Sequence, residues 1–570
     1  MFTVRKSAVA ILFLIFVCLV ATSSAFGSAA NIYITQNGSP SGNCTTNVQT
    51  PAFFNNAANW GSGASQIGPG TTVLLCGTFT SSAQGGNVLT MQGSGSPNNY
   101  ITITFDTNAQ MNSSGWWGSY PSCCGQGAIT VSGFNYVIID GQNTGIIQNM
   151  LAGTSSASCP AGACTQQPGS NGSLGVALKG DHLIVRNLTI QNIYINDGAN
   201  SGATDAAGQW TGDILVDNGS TNVHLYNNIL NNARAAIWSE TSDTHGPNSC
   251  PLNGASDNDT GICYYNNTLT DHAWQMAING SGTANVYNND IGTNANWAYP
   301  SNTYHTDGII TFGDPSNAII TDYIFNNYFH GDLGLGSPTA EIYCTYGMSG
   351  SGSICYIFNN VIVGTGTSAT NAVGIWVGAS VPGTNPIGPI YMFNNTIVGF
   401  NASILPYGAV QTGLTIENNL ASTDSSGYFF EEDLLTPGSV IVACDHHNWY
   451  GGRGAPFTGA GSYYTFAQWQ AAGFDIDGSN GNPNLNGNYT LQAGSSAIGL
   501  GANLTSLGIT ALNYDKPVNV GAGYVGAPNN PRAASGTCKP GVTGCWDAGA
   551  YQYASGSGPN PPTKLTAKVN

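Results

Sequence analysis

The residues best suited to chemistry in this chain are carboxylates in short apolar segments, accompanied once by a histidine. The string His305-Thr306-Asp307-Gly308-Ile309 places an imidazole, which exchanges protons near neutral pH, two residues before an acid. Glycosidic bonds are cleaved by pairs of carboxyl groups, one protonating the leaving oxygen and the other activating water or attacking. The further acids in similar apolar segments are Asp213, Asp217, Glu240 and Glu341.

Several candidate residues also have a simpler structural interpretation, and the sequence leaves both interpretations open. Asp307 precedes Gly308, so its carboxylate suits the cap of a turn, with His305 as an ordinary loop residue. Arg234 and Lys179 are similarly ambiguous, because either cation would bind a substrate carboxylate or neutralise a neighbouring acid.

A repeated phrase sets the positions of these residues. Two apolar or aromatic residues, an Asn-Asn pair and further apolar residues recur at intervals of 22 to 39 residues, as expected of a solenoid that tolerates insertions. The phrases are short, β-branched or aromatic, and bounded by Gly, Asn, Ser or Pro, which favours strands. A polar residue at a fixed place in each strand is explained if coils stack in register and the buried amides hydrogen-bond to one another, as in a parallel β-helix. The pairs are Asn227-Asn228, Asn266-Asn267, Asn288-Asn289, Asn326-Asn327, Asn359-Asn360, Asn394-Asn395 and Asn418-Asn419.

A second strand precedes each Asn phrase, and its outward side chains form columns along the solenoid. Because side chains alternate across a strand, the residues one before, one after and three after an inward apolar residue are predicted to point outward. Coils lie ~4.8 Å apart, so acids on this face fall in the range for glycoside cleavage. The inward residues are Val176, Ile214, Ile237, Ile278, Ile309, Ile342 and Ile375. The predicted catalytic residues are Asp307, His305, Asp213, Glu240 and Glu341.

Large aromatic residues share the predicted outer face, where rings stack on sugars or pack beneath an inserted loop. Insertions at 192–211 and 292–306 enter this strand and an insertion at 241–262 leaves it, so they are expected to wall a groove. The predicted substrate-binding residues are Trp238, Tyr343, Trp376, Arg234, Asp217 and Lys179.

Through its Asn phrases, the chain resembles the right-handed parallel β-helix proteins of the pectate-lyase-like superfamily over roughly 130–425. His305-Thr306-Asp307-Gly308 is similar to the Asn-Thr-Asp-Gly string of polygalacturonase-like glycosidases, which implies a catalytic role for Asp307. His305 replaces the Asn, and the paired Asp, Gly-His-Gly and Arg-x-Lys motifs are absent. The superfamily's lyases use a Lys or Arg base and sometimes Ca²⁺, so the resemblance also implies a lyase alternative.

The N-terminus and the cysteines indicate secretion. Arg5 and Lys6 precede an apolar run over 8–20 and a small-residue stretch, which is typical of a cleaved signal peptide and shorter than the ~18–20 residues that span a bilayer. Fourteen cysteines fit an oxidising compartment. Their spacing suggests bridges Cys159–Cys164, Cys250–Cys263, Cys344–Cys355, Cys538–Cys545 and Cys44–Cys76, leaving Cys123, Cys124 and Cys444 unassigned.

The charge balance restricts the partners. Only 7% of residues are charged and the formal net charge is −17, which excludes a nucleic-acid partner and disfavours polyanions unless Ca²⁺ bridges the charges. No cofactor is required, and no three ligands with the spacing of a transition-metal site are evident.

The sequence therefore predicts an all-β, right-handed parallel β-helix. Its parts are a signal peptide (1–29), an N-terminal cap with first coils (30–130), the β-helix (131–425), a C-terminal capping region (426–553) and a Pro/Ser/Gly-rich tail (554–570). The predicted function is a secreted, monomeric, carbohydrate-active enzyme, preferentially a glycoside hydrolase. The alternatives are a polysaccharide lyase and a non-catalytic extracellular glycan-binding protein.

Overall fold

Short apolar strands of this chain pair in parallel from one coil to the next and form a right-handed β-helix with three faces. The computed structural model describes residues 31–81, 86–113, 117–118, 125–149, 173–193, 211–252, 257, 259–280, 282–294, 306–311, 320–334, 339–345, 353–366, 372–378, 389–407, 413–430, 441–459, 461–524, 530–532, 538 and 545–553. The predicted signal peptide, the tail and His305 lie outside these ranges.

The first sheet carries the predicted functional face. Its strands are Leu89–Thr90, Ile129–Ser132, Leu174–Lys179, the first part of Gly212–Tyr226, Ala235–Thr241, Trp274–Gly280, Asp307–Thr311, Ala340–Thr345, Val373–Gly378, Ala402–Tyr407, Tyr428–Phe430 and Phe457–Gly459, to which Ser462–Tyr464 adds an antiparallel edge.

The second and third sheets flank the Asn-Asn pairs. The second sheet consists of Asn31–Ile34, Val48–Gln49, Thr72–Leu75, Ile101–Phe105, the first parts of Val137–Asn149 and Asp181–Gln191, the end of Gly212–Tyr226, Cys263–Tyr265, Thr283–Tyr287, Ile320–Phe325, Ser353–Phe358, Ile390–Phe393, Leu414–Glu417 and Ile441–Asp445. The third consists of Thr78–Ser81, Gln110–Ser113, the later parts of Val137–Asn149 and Asp181–Gln191, Ile229–Asn231, Thr268–Thr270, Asp290–Ile291, Tyr328–Phe329, Val361–Val363, Thr396–Val398, Leu420–Thr423 and Asn448–Gly451.

The two Asn residues of each pair have different roles at the turn between these sheets. The first adopts a left-handed conformation, with φ between 52° and 61°, which Asn tolerates better than most residues. The second is fully buried, and its amide donates to the carbonyl oxygen of the next coil's Asn at 2.9–3.1 Å. The predicted ladder is confirmed, and it joins Asn228, Asn267, Asn289, Asn327, Asn360, Asn395 and Asn419.

The ends of the β-helix are closed by apolar side chains. At the N-terminal end, Phe54 of the helix Pro51–Phe54 is fully buried in the interior cluster. At the other end, Trp469 of the helix Phe466–Ala471 stacks on Phe457 at 4.8 Å between ring centroids. The other helical elements within the described ranges are the 3₁₀ turns Ala57–Asn59, Pro247–Ser249, Thr505–Leu507 and Thr510–Asn513.

The β-helix extends beyond residue 425, where the Asn phrase ends. Parallel pairing continues with Ile441–Asp445 in the second sheet, Asn448–Gly451 in the third, and the pair Phe430 and Phe457 in the first. In this coil His446-His447 takes the place of the Asn-Asn pair. The segment predicted as a cap at 426–553 thus begins with further coils.

The described parts of the segment 500–553 (500–524, 530–532, 538 and 545–553) lie along the outside of the second and third sheets. Its Leu504, Ile509, Leu512 and Trp546 cover a stack of rings on the outer face of the second sheet. Ala522 N–H donates to Thr268 Oγ1 at 3.0 Å, many coils away from the C-terminal end. The stacked rings are Tyr226, Tyr265, Tyr287, Phe325 and Phe358, with neighbouring centroids 4.8–4.9 Å apart.

The described residues form four disulfides, and all four were predicted from spacing: Cys44–Cys76, Cys250–Cys263, Cys344–Cys355 and Cys538–Cys545. Cys444 is buried and unbridged. Cys123, Cys124 and the predicted Cys159–Cys164 bridge lie outside the described residues. Within the described ranges, no helix has the length and apolar character needed to cross a membrane.

Breaking one ladder rung should destabilise the whole chain. Asn327 accepts from the backbone N–H and the side-chain amide of Asn289, both at 3.0 Å, and donates to Val286 O at 2.9 Å. Asn327→Ala leaves these buried groups without partners, at a cost of ~1–3 kcal/mol for each. We expect its free energy of unfolding in urea to fall by ~3 kcal/mol or more. Asn218→Ala, at an exposed position, is the control and should change it by less than ~0.5 kcal/mol. Equal stability of the two variants would contradict a stabilising ladder.

Candidate functional site on the first sheet

The register of the first sheet corrects one of the sequence-aligned strands. Met276, and not Ile278, pairs with both Ile237 and Ile309, so the residues of Trp274–Gly280 shift by two positions in every column. Met276 and Ile278 both have a spacing that suits the inward position, and Met276 is the residue that occupies it. The shift places Trp274 beside Ala235 and Asp307, a position that sequence reasoning missed.

The side chains one residue before the inward apolar residue of each strand point into the β-helix, so the outward orientation predicted for this column is wrong. Ala236 and Ile237 are adjacent in sequence, yet both belong to the interior cluster, because the strand does not alternate regularly where it enters the sheet. Asp213 and Glu341 belong to this column and are buried. Two of the predicted catalytic acids therefore lie inside the solenoid.

Asp213 takes part in a polar network within the interior. His272, which sequence reasoning did not assign to a site, contacts Asp213 Oδ2 through Nε2 and Gln275 Oε1 through Nδ1, both at 2.8 Å. Gln275 then donates to Asn294 Oδ1 at 2.6 Å. Burial raises the pKa of Asp213 to about 6, although the bond from His272 opposes this rise. Every member is fully buried, so the network stabilises the interior and cannot reach a polymer.

Asp307 and Glu341 form a buried acidic pair, separate from the Asp213 network. Asp307 is fully buried, and its Oδ1 accepts a hydrogen bond from Ala340 N–H at 3.2 Å. Burial, followed by the negative charges of Asp307 and Asp332, raises the pKa of Glu341 well above its usual value. The neighbouring Thr306 hydroxyl donates to Leu333 O at 2.8 Å, so this end of the His305–Ile309 string is fastened to the next turn.

The side chains three residues after the inward apolar residue of each strand face outward as predicted, and this column brings charged groups together. Lys179 Nζ lies 3.2 Å from Asp217 Oδ2, and Glu240 occupies the next coil. Trp238 Nε1–H donates to Glu240 Oε1 at 2.9 Å. Burial first, and then the charge of Asp217, raises the pKa of Glu240, against the opposing effects of Trp238 and Lys179. Asn279 continues the column.

An apolar strip borders these charged residues on the same face. Trp238 and Trp274 lie 5.7 Å apart between ring centroids, and Tyr343 and Trp376 lie 5.1 Å apart. Arg234 is buried against this strip, with its guanidinium carbon 4.2 Å from the Trp274 ring centroid. Trp238 and Trp376 are partly exposed, whereas Tyr343 is buried. The strip is Trp238, Trp274, Ala277, Ile310, Ala340, Tyr343, Val373, Trp376, Ala402 and Leu405.

The described part of the insertion at 241–262 does not wall this face as predicted. Tyr287 OH donates to Pro251 O at 2.7 Å, and Asn248 Nδ2 donates to Gly508 O at 3.0 Å, so the insertion lies over the second sheet. With the segment 507–509 it encloses a cleft of about 670 Å³ floored by Tyr323, Tyr356 and Tyr391. Most of the insertions at 192–211 and 292–306 falls outside the described residues.

Comparison with known proteins gives a match among solved structures and none among protein families or curated proteins. No protein-family profile matches the chain, and no curated protein matches it. Among solved structures it is similar to pectate lyase Pel9A, with 15% identity, a TM-score of 0.37, and coverage of 88% of this chain and 97% of that chain. The parallel β-helix itself follows from the strand pairing described above.

The interior carboxyl groups should make stability depend on pH. Asp322 is fully buried, accepts one hydrogen bond from Ala284 N–H at 3.3 Å, and has its pKa raised to about 7 by burial. An unfolded Asp titrates near pH ~3.9. The folded chain therefore keeps this proton where the unfolded chain has lost it. The contribution to stability is full below about pH 4 and is lost as the pH rises through about 7.

Asp322→Asn removes this titration and tests the effect. At pH 4 the variant should be no more stable than the natural chain. Above pH 8 the free energy of unfolding of the variant should exceed that of the natural chain by on the order of 4 kcal/mol, which corresponds to the difference between the folded and unfolded pKa of Asp322. Thermal and urea unfolding of both proteins between pH 4 and pH 9 measure the difference. A difference independent of pH would contradict a protonated Asp322.

Proposed function

We propose that this chain is a secreted carbohydrate-active enzyme that cleaves a neutral or lightly charged polysaccharide on the outer face of the first sheet. The observation that carries the proposal is the pair Asp217 and Glu240, two outward carboxyl groups on neighbouring coils with different partners. Hydrolysis of a glycosidic bond needs this combination of an ionised carboxylate and a protonated carboxylic acid. The four disulfides support an extracellular location.

Glu240 suits the role of general acid. Its raised pKa keeps the carboxyl group protonated to higher pH than that of a free glutamate, so the group can protonate a leaving oxygen. The Trp238 indole orients Oε1, which leaves the second oxygen to carry the proton. Activity should then fall as the pH rises through the pKa of Glu240.

Asp217 suits the role of nucleophile or base. Lys179 on one side and Asn218 N–H at 2.8 Å on the other give its carboxylate two polar partners. Carboxyl groups in retaining glycosidases are ~5–5.5 Å apart, against ~6.5–9.5 Å in inverting enzymes. Neighbouring coils are ~4.8 Å apart. We therefore propose cleavage with retention of anomeric configuration, and stacking of sugar rings on the partly exposed Trp238 and Trp376.

A polysaccharide lyase is the second candidate, and the exposure of Lys179 favours it. The Lys179 side chain is 36% exposed and that of Asp217 only 7%, so the amine is the more accessible group. In β-elimination Lys179 would act as the base, while Asp217 and Glu240 would hold a Ca²⁺ ion that binds the substrate's uronate. A panel of neutral and uronate polysaccharides separates the two reactions. Hydrolysis gives reducing ends alone, and elimination adds an ultraviolet-absorbing double bond. Glycan binding without turnover on every polymer would contradict both.

Substitution at Glu240 tests the assignment of the acid. Glu240→Gln should lower kcat by ~10²–10⁴ and remove the fall in activity at high pH, because the amide cannot donate the acidic proton. Its melting temperature should change little.

Asp307→Asn is the matched comparison, because Asp307 is buried away from the charged column. We expect this variant to keep kcat within a few-fold and to lose stability instead. An inactive but stable Asp307→Asn enzyme, together with an active Glu240→Gln enzyme, would transfer the catalytic role to Asp307.

A further inference from the structure

The last recognisable coil replaces the Asn-Asn pair with two histidines. Ile416 pairs with Cys444 and Glu417 with Asp445, which places His446 at the position of Asn418 and His447 at that of Asn419. His446 keeps the left-handed conformation of the first Asn, with φ of 62°. The two rings consequently point to opposite sides of the turn, one into the β-helix and one outward.

His447 ends the Asn ladder inside the β-helix. Its Nε2 accepts from Asn419 Nδ2 at 3.2 Å, and its Nδ1–H donates to Asp475 Oδ1 at 2.7 Å. Trp449 and Trp469 donate their indole N–H groups to Asp475 Oδ2 at 2.8 and 3.0 Å. Cys444, His447 and Asp475 bring ligand atoms within 4.8 Å of one another, but hydrogen bonds already occupy both ring nitrogens and both carboxylate oxygens. This cluster is a hydrogen-bonded closure of the ladder.

His446 has the opposite environment on the outer side. A ring nitrogen of His446 and carboxylate oxygens of Asp445 and Asp477 lie within 4.8 Å of one another, and none of the three residues is buried. Nδ1–H donates to Leu500 O at 3.1 Å, which fixes the tautomer and leaves the Nε2 lone pair available. Metal-binding histidines commonly hold their second nitrogen in this way, on a backbone carbonyl.

The carboxylates also retain ligand capacity. Asp445 Oδ1 accepts from the backbone N–H groups of His446 and Asp477 at 2.8 and 2.9 Å, and these bonds hold the carboxylate in place while its Oδ2 stays available. Glu417 is the strand partner of Asp445 and lies on the same side of the turn, where it can supply a further oxygen. Within the described ranges, no lysine or arginine forms an ion pair with any of these acids.

We propose that Asp445, His446 and Asp477 bind one divalent transition-metal ion, Zn²⁺ by preference, on the outer side of the last Asn-type turn. One imidazole with two carboxylates suits Zn²⁺ better than Ca²⁺ or Mg²⁺, which take oxygen ligands. A tetrahedral Zn²⁺ with ~2.0–2.1 Å bonds requires ligand atoms ~3.4 Å apart. Because Asp445 is held in place, rotation of the Asp477 side chain would bring its carboxylate to this spacing. The ion would link the last coil, through Asp445 and His446, to Asp477. Because His446 also contacts Leu500, it would link the coil to the segment 500–553 as well.

The chain itself supplies the matched substitution. His446→Asn restores the residue found at the equivalent position of the other coils, so the turn should fold while losing the imidazole ligand. Asp477→Asn removes one carboxylate by an independent route. His245→Asn is the control, because His245 is a half-exposed histidine bound to Asp243, and neither belongs to a cluster of three ligands in the described ranges.

The experiment is equilibrium dialysis of tag-free, full-length secreted protein against Zn²⁺ and, separately, against Ca²⁺, with metal analysis and melting temperatures. The natural chain and His245→Asn should each bind one Zn²⁺ per chain with a rise in melting temperature. His446→Asn should bind none, and Asp477→Asn should bind at least tenfold more weakly. Absence of binding by the natural chain, or one Zn²⁺ retained by folded His446→Asn, would overturn the proposal. Retention of Ca²⁺ alone by His446→Asn would show that the carboxylates act without the histidine and would overturn it as well.

Discussion

The hydrogen-bonded ladder of buried asparagines is the constraint on which this structure depends. Each amide satisfies its neighbour and a backbone carbonyl of the preceding coil, so a coil that slipped by one residue would leave several buried polar groups unpaired. The ladder therefore fixes the register of the second and third sheets. The first sheet lies a variable number of residues away from it, and insertions are accommodated there. A face with a fixed scaffold behind it and variable loops around it is where function is commonly found.

The sequence predicts those parts of the fold that depend on local chemistry. The Asn pairs, the β-branched strands and the close cysteine spacings led correctly to the β-helix and to four bridges. The register of Trp274–Gly280 was missed because Met276 and Ile278 are equally suited to the interior. The extension past residue 425 was missed because His446-His447 does not look like Asn-Asn, although it takes the same conformation.

The candidate site was predicted only in part, for a reason of geometry. Strict alternation places Asp213 and Glu341 outside, whereas the irregular entry of the strand turns them inward, and no feature of the sequence marks this bend. Farther along the strand the alternation holds, so Lys179, Asp217, Trp238 and Glu240 face outward as expected. The path of the C-terminal segment is set by contacts between residues far apart in sequence, which no local pattern encodes.

That C-terminal path changes how the solenoid unfolds. In a simple repeat protein each coil contacts only its neighbours, and the two ends can fray independently. Here Arg532 donates to Asn359 Oδ1 at 3.0 Å, Ala550 N–H donates to Thr396 Oγ1 at 2.9 Å, and Ala522 reaches Thr268. One strap thus crosses the coils between them and couples their opening, so local fraying in this part of the chain requires release of the strap. We therefore expect these coils to unfold together, as a single globular domain does, and to resist proteases that attack partly opened chains.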